Sequence, residues 1–249
     1  MCGRFALTMT PSEIVATFLG IAETGAFPPR YNIAPTQPVL MALAGPPRAP
    51  GSNLPDRQGL LVRWGLIPSW TRDVRVLPPL FNARSETAAE KASFRAAMRH
   101  RRGLIPASGF YEWKRQAGDP KKSQAYWVRP KNGGLIAFAG LMETYSEPGG
   151  SEIDTGAILT TAANPEFAAI HHRMPVIIAP EHFSRWLDCR TQEPRDVADL
   201  VQPAESGFFE AIPVSSLVNK VANAGPEIQE KVTHDKDGPP AAPDQLQLF

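Results

Sequence analysis

Cysteine is scarce in this chain of 249 residues, which contains only Cys2 and Cys189. Two cysteines cannot build the disulfide framework of a small secreted domain. Neither cysteine stands in a spacing of Cys and His that is typical of a zinc site. We therefore expect a protein of a reducing compartment that needs no structural metal and no cofactor.

Long apolar runs are also missing. No stretch approaches the roughly 18 consecutive apolar residues of a membrane-spanning helix, and the N-terminus lacks the basic and apolar segments of a signal peptide. The sequence thus predicts a cytoplasmic protein. Its formal charge of only +1 excludes a chain that attracts nucleic acid through its overall field, so a polyanion would have to be bound by a local cationic patch.

Proline, in contrast, is abundant, and its 26 copies are spread along the chain. This density breaks long helices and favours short strands joined by ordered turns. Segments 60–67, 124–128, 135–141 and 157–161 are rich in apolar, aromatic or β-branched residues, as strands are. We predict an α+β fold, with a single domain whose mainly antiparallel, barrel-like β core is flanked by a few helices.

Three segments are predicted to be helical. The first, 10–20, has Thr10 as N-cap, Glu13 in the capping-box position and Gly20 as a stop signal. The second covers 85–101 and the third 179–188.

The position of Cys2, directly behind the initiator methionine, raises a chemical question. Removal of Met1, expected when the next side chain is small, would leave a free α-amine and a thiol on adjacent carbons. An internal cysteine never offers that pair. Taken alone, however, a cysteine at this position is more often an ordinary small residue.

Three polar residues stand in unusual surroundings: Asn82 in "LFNARSET", Glu112 among the aromatic residues of "SGFYEWKR", and His171 in "AIHHRMPVII". Each alone is more commonly a turn residue, a solvated strand residue or a structural histidine. Together with Cys2 they supply a nucleophile, an amide, a carboxyl acid or base and an imidazole. This is a complete set for covalent chemistry at a carbonyl carbon.

Eight motifs occur in an order that resembles one known family. They are "MCGRFAL", "YNIAPTQPV", "RWGLIPSW", "FNARSET", "PASGFYEWK", "AFAGLMETY", "TTAANP" and "IHHRMPVII", and the resemblance runs from Met1 to about Val221. The family is that of the SOS response-associated peptidases, also called abasic site processing proteins. The resemblance implies a bacterial, nucleoid-associated protein that bonds covalently to abasic sites in single-stranded DNA, through a thiazolidine formed by the N-terminal cysteine.

The same resemblance implies roles for individual residues. The catalytic set carries over onto Cys2, Asn82, Glu112 and His171. His172 stands where the family often has Asp, so a share of this second histidine in the chemistry stays open.

The implied DNA contacts lie near these catalytic positions. Phosphate-binding arginines carry over onto Arg4, Arg84 and Arg173, and arginine suits phosphate because its donors bind two oxygens at once. Trp70 is expected to stack on a base, with a core position as the alternative. Asn32 is expected to shape the same surface, with a purely structural turn as an equal alternative.

Two other classes of function stay open. Cys2, His171 and Asn82 also resemble the residue set of a cysteine peptidase, so autopeptidase (hydrolase) and lyase activities are alternatives. The third class is a non-catalytic DNA-binding module in which Cys2 is incidental.

The end of the chain differs in composition from the rest. We predict a domain over 1–234 followed by a flexible tail over 235–249, because the tail begins with residues rich in Pro, Asp and Gly. Its last five residues resemble the peptide by which bacterial repair proteins bind the sliding clamp of DNA polymerase. The clamp is therefore a predicted partner, through Gln245, Leu246, Leu248 and Phe249, and folding of the tail back onto the domain is the alternative.

Overall fold

Two β-sheets carry most of the regular structure. A computed structural model describes residues 2–17, 28–47, 51–52, 55–116, 119–147 and 149–232. The strands are β1 (Phe5–Leu7), β2 (Arg30–Ile33), β3 (Pro38–Ala44), β4 (Arg57–Trp64), β5 (Asn82–Arg84), β6 (Arg102–Ala107), β7 (Gly109–Gln116), β8 (Asp119–Pro130), β9 (Ile136–Ser146), β10 (Glu152–Ala162), β11 (Arg173–Pro175) and β12 (Phe209–Val214). The helices are α1 (Pro11–Thr17), α2 (Ser85–Ala88), α3 (Arg95–His100) and α4 (Phe183–Leu187). Short 3-10 helices lie at Phe167–Ala169, Pro180–His182, Pro194–Leu200, Ser216–Asn219 and Pro226–Gln229.

The larger sheet closes on itself. Its strands follow the order β10, β4, β3, β6, β9, and β9 pairs with β10 again, which completes a five-stranded ring. Within the ring all pairings are antiparallel except that of β10 with β4. Closure satisfies the backbone groups that an open sheet would expose at its edges. The predicted α+β fold with a barrel-like antiparallel core is confirmed.

Small residues admit a large side chain into the barrel. Met41 is fully buried, and a Cβ atom added to Gly103 or Gly156 would lie only 2.7 Å from its Sδ or Cε atom. Close packing of this kind leaves no room for a larger residue at either glycine. Beside them Phe5 packs edge-on against Trp64 and Phe138, with ring centroids 5.1 and 5.6 Å apart.

The second sheet holds the N-terminal strand. Its order is β12, β8, β7, β1, β2, and β1 pairs antiparallel with β7 through Phe5 opposite Phe110. Its outer face packs a smaller cluster in which the rings of Tyr111 and Trp127 lie 4.8 Å apart. Strand β1 is thereby held against β7, and its Phe5 lies in the buried core.

The buried side chain of Arg102, at the start of β6, connects helices α3 and α4 to the barrel. Arg102 donates hydrogen bonds to the carbonyl oxygens of Met98, Trp186, Asp188 and Gln192, at 2.7 to 2.9 Å. These carbonyl groups belong to α3, to α4 and to the turn that follows α4. One side chain thus satisfies several helix-end carbonyls that would otherwise be buried without a donor.

The predicted strand segments 124–128, 135–141 and 157–161 coincide with parts of β8, β9 and β10, and these strands are longer than predicted. Segment 60–67 is a strand only as far as Trp64, where β4 ends, because the chain turns at Gly65, whose φ is +134°. The first helix begins as predicted: the Thr10 amide donates to Oε2 of Glu13 at 2.7 Å, and the Glu13 amide donates to Oγ1 of Thr10 at 3.3 Å. Its predicted stop at Gly20 lies outside the described residues.

The prediction of one helix over 85–101 is wrong, because the chain forms α2 and α3 with a break between them. Phe94 is buried in the core, and its φ of −128° lies outside the helical range. The third predicted helix is a 3-10 turn followed by α4.

In the part of the chain that the structure describes, no helix is long and apolar enough to cross a membrane. The same residues contain no group of three or more His, Cys, Asp or Glu side chains that could hold a metal ion. The domain boundary after residue 234, the tail 235–249 and the clamp-binding peptide fall outside the described residues and stay predictions.

Candidate active site

The pairing of β1 with β7 brings Cys2 close to Glu112. The Tyr111 amide donates to the Arg4 carbonyl at 2.9 Å. Glu112, which follows Tyr111, therefore lies near the N-terminal segment that carries Cys2. Cys2 is completely buried, and Glu112 is only 4% exposed. Burial, and secondarily the negative charge of Glu112, raise the pKa of the Cys2 thiol far above its ordinary value. Both effects favour the thiol form of the sulfur over the thiolate.

Strand β10 assembles the remaining segments of the site. On one edge it pairs parallel with β5, with Ile158 opposite Asn82, and on the other edge it pairs antiparallel with β11, with Ala162 opposite Arg173. Thr160 has partners on both edges. The segments that carry Asn82 and His171 therefore meet at the same end of β10, although 89 positions separate these two residues in the chain (171 minus 82).

The side-chain amide of Asn82 connects β5 to the N-terminal segment. Its Nδ2 atom donates a hydrogen bond to the Cys2 carbonyl oxygen at 2.8 Å. Its Oδ1 atom is buried and accepts no hydrogen bond from the described part of the chain. One end of this amide thus holds the Cys2 backbone, while the other end is an available acceptor next to it.

The ring of His171 is oriented by the backbone two residues ahead. Its Nδ1 atom lies 3.0 Å from both the amide nitrogen and the carbonyl oxygen of Arg173. His172 stacks on His171 at 4.4 Å between ring centroids. The charge of His171 lowers the pKa of the exposed His172, with smaller contributions from partial burial and from Arg173 and Arg84.

The three predicted phosphate-binding arginines differ in their surroundings. Arg84 is exposed at the start of α2. Arg173 is only 8% exposed, and it binds both carboxylate oxygens of Glu86, at 2.6 and 2.9 Å. Its guanidinium also donates to the Thr160 carbonyl. Of Arg84 and Arg173, only the first therefore offers its charge to solvent directly.

The third of them, Arg4, is engaged with the loop after β12. Its Nη1 atom donates to Oδ1 of Asn32 and to the Val218 carbonyl, both at 2.7 Å, and its guanidinium lies 5.9 Å from the Trp113 ring centroid. Partial burial lowers the pKa of Arg4. The Arg4 side chain therefore connects β2 to the segment after β12. A contact of Arg4 with DNA would have to be made from this position.

Asn32 is almost fully buried, and its amide is saturated. Besides accepting from Arg4, it donates to the carbonyl oxygens of Val218, Lys220 and Asn223 at 2.7 to 3.3 Å. These bonds fit the structural alternative for Asn32, and a direct contact with DNA stays a prediction.

Trp70 is 59% exposed, and its Nε1 atom lies 3.4 Å from the Ala92 carbonyl. The alternative of a core tryptophan is therefore wrong. Base stacking on its free face stays a prediction.

Sequence reasoning missed Glu86 and Thr160, which hold the guanidinium of Arg173. The one signal was the position of Glu86, two residues after Arg84 in "FNARSET", where it is an acidic residue in the first turn of a helix. Nothing in the local sequence indicates its partner 87 positions away.

Fold and site together define a class of protein. It is a small, mainly antiparallel β barrel in which the buried Cys2 lies near the Glu112 carboxyl group and accepts a hydrogen bond from the side-chain amide of Asn82.

The particular family follows from comparison with known proteins. The family model described as SOS response associated peptidase (SRAP) matches residues 1–221, and the chain belongs to this family.

Relatives in this family carry names that describe their targets. The abasic site processing protein YoqW of Bacillus subtilis is 40% identical over 232 residues, which cover 92% of this chain and 99% of that protein. The abasic site processing protein YedK of Escherichia coli is 32% identical over 244 residues, which cover 93% and 100%.

Solved structures share the fold. A protein from Bacteroides thetaiotaomicron superposes with a TM-score of 0.78 at 22% identity, over 93% of this chain and all of that one. A protein from Bordetella bronchiseptica reaches 0.71 at 26% identity, over 86% of this chain and all of that one.

Proposed function

We propose that this protein processes abasic sites in single-stranded DNA by forming a covalent adduct through Cys2 after removal of Met1. The observation that carries the proposal is the Asn82 hydrogen bond to the Cys2 carbonyl, which holds a buried cysteine next to Glu112. The names of the relatives support abasic DNA as the target.

In the first step the α-amine attacks the sugar. An abasic deoxyribose opens to an aldehyde, and an α-amine with a pKa of about 7.7 to 8.0 is partly neutral at cellular pH. Its nitrogen adds to the carbonyl carbon, and the carbinolamine loses water to give an imine. The Glu112 carboxylate takes a proton from the carbinolamine nitrogen and passes it to the hydroxyl group, which leaves as water, and His171 assists at the sugar hydroxyl. The free Oδ1 atom of Asn82 accepts an N–H of the amine and fixes its direction of attack.

In the second step the thiol closes the ring. The Cys2 sulfur bonds to the imine carbon, the electron pair of the C=N bond moves to nitrogen, and nitrogen receives the thiol proton. The product is a five-membered thiazolidine, and no oxidant or leaving group is involved. Because burial favours the thiol form, its proton must move as the ring closes, and we assign this transfer to Glu112, whose charge acts on the thiol.

The DNA backbone needs a cationic contact beside this site. Arg84 is exposed and lies in β5, two positions after Asn82, which bonds to the Cys2 carbonyl, so we assign it the phosphate next to the reacting sugar. Trp70 offers an exposed ring for a neighbouring base. The proposal places the protein on DNA, at the bacterial nucleoid.

Peptidase chemistry ranks second. A cysteine peptidase needs a thiolate, and burial of Cys2 disfavours one. Autopeptidase and lyase activities, and the non-catalytic module, remain alternatives that the following experiment separates.

The experiment uses purified protein and a single-stranded oligonucleotide with one abasic site. Intact mass should show loss of Met1, and the wild type should give an adduct that survives heat and denaturant. Cys2→Ala should lose this adduct but keep an imine that borohydride traps, because its amine remains. Cys189→Ala is the matched control and should react like the wild type. Retention of Met1, or a stable adduct from Cys2→Ala without reductant, would overturn the proposal.

We further propose, from sequence alone, that the segment 245–249 binds the bacterial sliding clamp. An extended peptide would place Leu248 and Phe249 in an apolar pocket with Gln245 hydrogen-bonded at its rim. Binding would raise the local concentration of the domain near replicating DNA.

A further inference from the structure

We propose that Glu86 is a positioning residue for the reaction, which acts through Arg173 to hold the Asn82 and His171 segments together. The inference deepens the proposed function and rests on it.

The contact between these two side chains has a defined geometry. Nη1 and Nη2 of Arg173 bind Oε1 and Oε2 of Glu86 at 2.6 and 2.9 Å, which is a fork-to-fork pair. Such a pair fixes direction as well as distance. The Glu86 side chain is about half exposed, whereas that of Arg173 is almost covered, so the guanidinium depends on this carboxylate for its charge balance.

The pair spans the strand that organises the site. Glu86 lies in α2, directly after β5, and Arg173 lies in β11 on the opposite edge of β10. Between them, the guanidinium also donates to the Thr160 carbonyl and lies 3.3 Å from its Oγ1 atom. The ion pair is therefore a cross-link over β10.

Each end of this cross-link lies in or next to a segment that carries a proposed catalytic side chain. At one end, β5 carries Asn82, whose amide holds the Cys2 carbonyl. At the other end, the backbone amide of Arg173 donates to Nδ1 of His171 and orients its ring. Loss of the cross-link would let these two segments move relative to each other, so the geometry of attack would be populated less often.

This role predicts an effect on rate and not on DNA affinity. Glu86→Ala should lower the rate constant of adduct formation at saturating DNA by about tenfold or more, as expected for imprecise alignment of reacting groups. The DNA concentration that gives half-maximal rate should stay the same or fall, because a negative charge has been removed near a polyanion.

Three further variants separate positioning from simpler explanations. Glu90→Ala removes an exposed carboxylate four positions away and should change neither quantity. Glu86→Gln keeps one acceptor and should recover part of the rate. Glu86→Ala should add little to the loss caused by Arg173→Lys, because both changes remove the same two-oxygen contact.

An activity-independent measurement completes the test. The Cε1–H proton resonance of His171 should shift or broaden in Glu86→Ala, while those of His100 and His182 serve as internal references and unchanged thermal unfolding confirms the fold. A wild type that forms no adduct would refute the proposed function, and the His171 resonance would still test the cross-link. An unchanged rate and resonance in Glu86→Ala, a rate loss explained by weaker DNA binding, or fully additive losses with Arg173→Lys would overturn the inference.

Discussion

Replacement of Asn82 by Asp is the most informative change at the proposed active site. The two side chains have nearly the same shape, but Asp puts an oxygen where Nδ2 now donates to the Cys2 carbonyl at 2.8 Å. Rotation of the carboxylate cannot relieve the contact, because both of its oxygens are acceptors. Loss of the hydrogen bond and desolvation of the unpaired carbonyl together weaken the positioning of Cys2 by about 1 to 3 kcal/mol.

The new charge acts on the amine as well. A carboxylate close to the α-ammonium of Cys2 stabilises the charged form and raises the pKa of the amine by about one to three units. Each unit lowers the neutral, reactive fraction at pH 7 about tenfold. Asn82→Ala loses the same hydrogen bond without adding a charge. At pH 7 we therefore expect the wild type to react fastest, Asn82→Ala about tenfold more slowly, and Asn82→Asp at least tenfold more slowly again.

The assay is the initial rate of heat-stable adduct on abasic single-stranded DNA, measured from pH 6 to pH 9.5 for the three proteins. Because deprotonation of the amine restores its reactivity, the rate of Asn82→Asp should rise towards that of Asn82→Ala as pH increases. A rate for Asn82→Asp at pH 7 equal to or above that for Asn82→Ala would refute the assignment of Asn82 to the amine.

Three further predictions concern other parts of the molecule. Arg84→Ala should lower the magnitude of the slope of log affinity against log salt by about 0.7, measured by fluorescence anisotropy with single-stranded DNA, and an unchanged slope would make Arg84 structural. Arg102→Met should destabilise the fold by about 3 to 5 kcal/mol, because buried carbonyl groups lose their donor. Calorimetry should show a melting temperature that is lower by roughly 10 °C, and Arg102→Lys should recover part of this loss. The tail peptide should bind a bacterial sliding clamp with micromolar affinity in calorimetry. Leu248→Ala with Phe249→Ala should abolish this binding without slowing adduct formation. Absence of binding heat at high concentration would refute this prediction.

Sequence reasoning succeeded where a short stretch of chain decides the outcome. The capping box of Thr10 and Glu13 was predictable because both partners lie within one helical turn. Strand segments were predictable from runs of apolar and β-branched residues. The ordered motifs identified the family, and through it the candidate residues Cys2, Asn82 and Glu112, before any contact was known.

Sequence reasoning fell short where packing or exposure decides. The pattern over 85–101 is helical throughout, yet the chain forms two helices, and the buried Phe94 between them has a non-helical φ of −128°. Trp70 could not be assigned to the core or the surface, because an aromatic residue suits both.

By itself the sequence determined which chemical groups this protein contains and in which secondary-structure elements most of them lie. Only the tertiary structure decided their partners. Arg84 and Arg173 look alike as phosphate-binding residues in the sequence, but the register of β5 and β11 on β10 leaves one exposed and pairs the other with Glu86. Hydrogen bonds within a turn depend on neighbouring residues, whereas an ion pair across 87 positions depends on how whole strands align, and no local pattern contains that information.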